Sequence, residues 1–382
     1  MELLLRLTGI SHLLSITVTQ LFLIIFTIIL FRDYYKKRIS IKSCTYFKFY
    51  VFLLIAGFLS VIFGVNPKKS IVSFRDEWLL LYFFVGYYYV PNVSYKKIFS
   101  SVLFGALIAS FYAYYQFFIK HLERAQGFYS HSLTFGNVVS ILAVFCFTYL
   151  LTNSYEERRE KNFYIITFLF LLFSLYISGG RAPLVFTVMV ICISLVFVYG
   201  RKGAVIGLVV LLLFSIVAYF IYTNPVLNRR LHELTNESIH NSMSSIGTRI
   251  ALWKASFKII KKYPLFGIGY GNFKSVIKNY IDVPVLTTAH AHNAYIQYIV
   301  LHGITGFVCL ITFFYKILTG FVKKIKKDRL AIVGLSIFIV FLLQGTLENN
   351  FYDSEVAMLF WFVTGSLLGF VEKSEKTISI KL

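Results

Sequence analysis

Four side chains suited to anion binding or proton transfer stand in polar stretches beside long apolar runs: Arg124, Arg181, Arg249 and His292. His292 lies in Thr-Thr-Ala-His-Ala-His-Asn (287–293), a polar loop that runs directly into an apolar helix. A dipole at that helix start and a neighbouring arginine both disfavour imidazolium. The ring then stays neutral near pH 7, as a general base requires. A guanidinium is a fixed cation that binds phosphate oxygens in pairs. Arg181 sits in Ser-Gly-Gly-Arg-Ala-Pro, a tight turn pinned close to an apolar run, and Arg124 opens Arg-Ala-Gln-Gly-Phe. Each of these two arginines can also simply snorkel to a membrane surface. His290 and Asn293 flank His292 as secondary candidates. The His290-x-His292 pair could hold a metal only on an extended segment, and no nearby carboxylate cluster completes such a site, so no metal is expected. His302 falls about 15 Å deeper on the same helix and reads as a packed or hydrogen-bonded core residue.

The elements that must position these groups are membrane helices. The chain has 382 residues, 58% hydrophobic and only 14% charged, and apolar runs recur at spanning length. Spans are expected near 12–31, 46–64, 74–90, 98–118, 132–152, 162–178, 183–200, 203–223, 292–318, 330–347 and 354–371. Residues 1–11 could add a short further element, so eleven or twelve helices are expected in an all-α polytopic fold. One integral-membrane domain (1–382) would contain a long loop at 225–290. The net charge of +21 could suggest nucleic acid, but its placement points to topology instead. With 32–48 taken as cytoplasmic, the cytoplasmic segments carry 21 Lys and Arg against 7 in the short outer segments. The positive-inside rule then puts the long loop outside. No nucleic-acid partner is expected; membrane lipids are.

The long loop carries nine basic residues against Glu233, Glu237 and Asp282, a surface that would concentrate an anionic ligand or attract anionic headgroups. Thr248 could cap a helix ending at Lys262, before Pro264. Its broad apolar face and opposed lysines predict a helix lying flat at the interface. Arg249 falls within the apolar stripe and is therefore expected to point inward. The glycine-rich run 267–271 lacks the spacing of a phosphate loop and reads as turn chemistry. Four scattered cysteines imply neither a disulfide framework nor a thiolate zinc site. The spans from 98 onward are nearly free of mid-membrane charge, which argues against ion-coupled transport.

Together these residues resemble the O-antigen ligase/polymerase superfamily of integral-membrane glycosyltransferases, over roughly residues 124–360. The resemblance rests on Arg-Ala-Gln-Gly-Phe, Ser-Gly-Gly-Arg, Arg-x-x-x-Trp followed by Pro-Leu-Phe-Gly-Ile-Gly-x-Gly-x-Phe, and His-Asn-x-x-x-Gln followed by Gly-Ile-Thr-Gly. Tyr129-Ser130-His131 stands where the family often has a proline. The resemblance implies a GT-C-like fold in a bacterial inner membrane with its active site facing the periplasm. It implies a polyprenyl (undecaprenyl) diphosphate-linked glycan as donor and, for a ligase, a hydroxyl of lipid A–core as acceptor. It also implies a metal-independent, inverting reaction without cofactor. The family's essential arginines match Arg181 and Arg249, and its essential histidine matches His292; Arg124 is a further candidate for the diphosphate. A ligase is the leading expectation and a polymerase extending carrier-linked repeats the second. A glycolipid flippase or exporter is the alternative from another class, and would tolerate loss of the base.

Overall fold

The computed structural model describes residues 1–39, 44–153, 157–223 and 241–379. These residues are largely helical and include no strand. The first helices are α1 (Glu2–Leu14), α2 (Ile16–Tyr35) and α3 (Thr45–Phe63). Ser15 separates α1 from α2 in an extended conformation, and its hydroxyl accepts from the Val18 N–H, so residues 1–31 make two helices. A short α4 (Pro67–Phe74) and a 3-10 turn (Arg75–Leu80) lead into α5 (Leu81–Tyr89). The single span expected at 74–90 is therefore interrupted. Then come α6 (Tyr95–Phe118), α7 (Ser132–Thr152), α8 (Arg158–Ile177), α9 (Arg181–Tyr199) and α10 (Arg201–Thr223). The last are α11 (Ser245–Lys262), α12 (Phe273–Ile277), α13 (Ala294–Val322), α14 (Leu330–Gly345) and α15 (Ser354–Ser379).

Among the described residues, eight helices are long and apolar enough to cross a membrane: α2, α3, α6, α7, α8, α9, α13 and α15. By that standard the count falls below the eleven or twelve expected. The 74–90 segment is broken and α14 has only 16 residues, while α10, 23 residues long, is not among the eight. Within the spanning windows, 83% of α7 and of α15 is buried but only 28% of α2. These two helices form the centre of the bundle, and α2, α8 and α9 present apolar side chains outward, as a lipid-facing layer must. Small hydroxyls tie the inner face of α9 to its neighbours: Ser140 of α7 to Thr187 at 2.7 Å, and Ser194 to Ser336 of α14 at 2.8 Å.

The loop expected at 225–290 carries its own small core. Arg229, Arg230, Glu233 and Glu237 lie outside the described residues. Leu252, Ala255 and Ile259 of α11 pack on Ile268, Phe273 and Ile277, and on Ala291, Val300 and Leu301 before and within α13. The apolar face of α11 is thus covered largely by protein, a correction to the helix expected to lie flat on lipid. Its start also differs. Ser244 caps the helix by accepting from the Gly247 N–H at 3.0 Å, so α11 begins ahead of Thr248. The Thr248 hydroxyl instead donates to the Ser242 carbonyl and accepts from the Leu286 N–H, tying the loop's end to α11.

The span expected at 292–318 contains a break at Gly303, whose φ and ψ are 62° and −168°. Every backbone group freed there must find a partner away from water. The stretch Pro264–Gly269 supplies several. The N–H groups of Ile268 and Gly269 donate to the Val300 and Leu301 carbonyls at 2.9 and 3.0 Å, and the Ile304 N–H donates to the Pro264 carbonyl at 2.8 Å. The glycine run is thus turn chemistry, as expected: Gly267, Gly269 and Gly271 all have positive φ. At Gly267 a side chain would collide with the Leu301–His302 backbone, so no open phosphate cradle exists there. Gly303→Ala would place a Cβ against the Leu265 backbone in a conformation open almost only to glycine. That variant is expected to lose on the order of 1–3 kcal/mol, read as a lower melting temperature in detergent. A melting temperature equal to wild type would contradict this account of the break.

Candidate active site at one end of the bundle

The start of α13 organises the site. Asn293 caps it, its Oδ1 accepting from the N–H groups of Tyr295 and Ile296 at 3.0 and 2.9 Å. The Asn293 amide also donates to the Thr346 carbonyl at 2.9 Å, and the Tyr295 hydroxyl donates to the Leu342 carbonyl at 2.8 Å. Both bonds fasten α13 to the end of α14 and to the turn that follows it. Gln297 reaches back one turn to accept from the Ala291 N–H at 2.9 Å. The chain bends at His292, which adopts a φ of 49°. Its N–H donates to His290 Nδ1 at 3.3 Å, and the two rings lie 4.2 Å apart.

The Arg-x-x-x-Trp spacing puts two side chains on one face of α11, one turn apart. Both point at this corner, as the apolar stripe predicted for Arg249. Trp253 Nε1 donates to the Ala291 carbonyl at 2.8 Å. Arg249 Nη2 lies 3.0 Å from Glu348 Oε1, in the turn between α14 and α15. Glu348 is buried, and burial pushes its carboxyl up to about 7. Arg249 and Arg124 oppose that rise, while Asp353 adds to it. Asp353 itself accepts from the Thr134 hydroxyl at 2.6 Å.

Arg124 docks on the turn that carries Arg181. Its Nε donates to the Ser178 carbonyl at 3.1 Å, and its stem lies against Gly179, whose φ is 65°. Gln116 holds the Gln126 and Gly127 N–H groups and fixes the loop from below. Arg181 is the first residue of α9 and is exposed. Arg249 and the two histidines thus share one cluster. Arg124 acts on it through Glu348, and Arg181 stands on the turn to which Arg124 is anchored.

His292 is half-buried, and its basicity is lowered to about 3. Burial is the first cause, followed by His290 and then Arg249. His290 is lowered as well, by burial first; Asp353 works against this and Arg249 and His131 with it. Both rings are neutral at physiological pH. The helix dipole and a nearby arginine gave the direction; burial and the second histidine are the larger physical causes. His302 is fully buried, bonds the Tyr352 hydroxyl through Nε2, and is ringed by Tyr270 and Tyr298. It is a core residue, as expected. Among the described residues no group of three or more His, Cys, Asp or Glu could hold a metal ion.

Glu348 and Asp353 escaped the sequence reading. A signal was present: residues 347–355 hold three acids and no basic residue, opposite a strongly basic loop.

A multi-pass helical membrane protein with arginines and a neutral histidine gathered at one end of the bundle is the class these observations define. The O-Antigen ligase family matches residues 166–311, which include Arg181, Arg249 and His292. This match supports the resemblance to the O-antigen ligase/polymerase superfamily read from the sequence. An uncharacterized protein of Haemophilus influenzae is 23% identical over 314 residues, covering 77% of each chain.

Proposed function

We propose that this protein is an O-antigen ligase. It transfers a glycan from undecaprenyl diphosphate to a hydroxyl of lipid A–core at the periplasmic face of the inner membrane. The observation that carries the reading is the meeting of Arg249 with a neutral His292 at the start of α13. In this mechanism His292 takes the proton of the acceptor hydroxyl as its oxygen attacks the anomeric carbon. The bond from that carbon to the diphosphate breaks on the opposite face, inverting configuration, and its electron pair leaves with the phosphate oxygen. Arg249, with Arg181 and Arg124, neutralises the charge that develops there. A bound diphosphate would offset the field of Arg249, the smallest of the three causes that lower the ring, and move its basicity upward. His290 and Asn293 act by position, the first against the His292 ring and the second as the cap. The apolar spans form the groove for the polyprenyl tail.

The test is a reconstituted transfer reaction in EDTA, with purified protein, polyprenyl-diphosphate-linked glycan and lipid A–core, products being separated by mass. Glycan on lipid A–core at a rate unchanged by EDTA is the expected result. Longer chains still on the carrier would make the protein a polymerase. Carrier-linked lipid crossing a vesicle membrane with no new glycosidic bond would replace the enzyme with a transporter.

A further inference from the structure

Arg249 does not stand open for an incoming anion. Its guanidinium is paired with Glu348 at 3.0 Å, with the two side chains 21% and 8% exposed. An ion pair this far from water is poorly explained as a source of stability, because desolvation offsets most of its attraction. Arg124 also acts on Glu348, from the loop between α6 and α7. Two of the guanidinium groups assigned to the diphosphate therefore converge on one carboxylate. We infer that Glu348 is the resident counter-anion of the diphosphate site: the donor displaces it from Arg249, and the freed carboxylate takes up a proton as the site fills. This rests on reading Arg249 as a diphosphate ligand.

The charge balance requires the proton. A displaced Glu348 would stay buried beside a diphosphate and beside Asp353 in its own turn, with Glu355 next along the chain. Two like charges in that space would drive one group to neutralise. The carboxyl is already up to about 7 with Arg249 beside it, and losing that partner moves it higher. The groups that act on it are the Arg249 and Arg124 guanidiniums and the Asp353 carboxyl, while His290 and His292, before α13, are neutral. The only bond made is O–H on the carboxylate, with the proton drawn from solvent. Glu348 acts through Arg249, as a positioning residue rather than a reacting one.

The sign follows from competition. Ionised Glu348 holds Arg249, and protonated Glu348 releases it, so donor binding tightens as pH falls through about 7. The probe is a short-chain prenyl diphosphate linked to N-acetylglucosamine, a diester whose own charge is constant between pH 6 and 8. Titrated into the purified full-length protein in micelles, it should bind about tenfold more tightly at pH 6 than at pH 8. Calorimetry in two buffers of different ionisation heat should register proton uptake near neutral pH. Glu348→Gln should bind at pH 8 as wild type does at pH 6, with no pH dependence. A flat wild-type profile overturns the inference, and so does weaker binding by Glu348→Gln, which would make the residue a prop for Arg249. If the variant fails to fold, the wild-type profile alone decides. Arg249→Ala separates the two levels. Lost binding in that variant beside an unaltered Glu348→Gln overturns only the role of Glu348. Wild-type binding by Arg249→Ala overturns the diphosphate reading itself.

Discussion

His292→Ala is expected to lower transfer to the acceptor by about 10²–10⁴-fold, the range of a positioned general base, with donor binding essentially unchanged. The geometry makes this a clean test of chemistry. His292 Nδ1 has no hydrogen-bond partner among the described residues, so losing it breaks no hydrogen bond at that atom. Its backbone is the complication, because a φ of 49° is uncomfortable for alanine. Asparagine tolerates that region several-fold better and cannot serve as a base. His292→Asn should therefore melt near wild type and be as inactive as His292→Ala. Single-turnover rates at saturating donor, beside a binding titration of each variant, would separate the two effects. Wild-type turnover by His292→Asn would remove the histidine from the mechanism.

The features legible in the sequence were those carried by local pattern. The inward Arg249 followed from its place in the apolar stripe of α11, and the pairing with Glu348 gives that direction its partner. The glycine run read correctly because it lacked a phosphate-loop spacing, and His302 because it was a lone polar residue deep in an apolar run. What escaped was long-range. A single glycine in an apolar span gives no local sign of a break. Gly303 is broken because Pro264–Gly269, more than thirty positions earlier, offers the hydrogen bonds that the helix forgoes. Periodicity showed that α11 has a covered face but not what covers it, so lipid was expected where Ile268, Phe273 and Leu301 stand. Thr248 was a good cap in isolation, and Ser244 took the role once the chain around Asn241 folded back on it. Glu348 lies 99 positions from Arg249, and no pattern in either segment joins them.

Arg249→Ala is expected to reduce transfer by about 10²–10³-fold, the usual effect of removing one fixed donor from a developing anion. The variant also leaves Glu348 buried without its cation. A lone buried carboxylate is costly, but this one already sits near 7 and can take a proton, so the fold has a route around the loss. Catalysis has none, because no other guanidinium lies on α11. Arg249→Lys sharpens the test. It keeps the charge and the partner, yet loses the planar fork that grips two oxygens at once. Stability should return with lysine while most of the rate does not. If lysine restored the rate in full, Arg249 would be supplying field rather than geometry. The exposed Arg181 and Arg124, held together on the turn before α9, would then be the groups that orient the diphosphate. In that case Arg181→Ala, rather than Arg249→Ala, should show the larger loss at saturating donor.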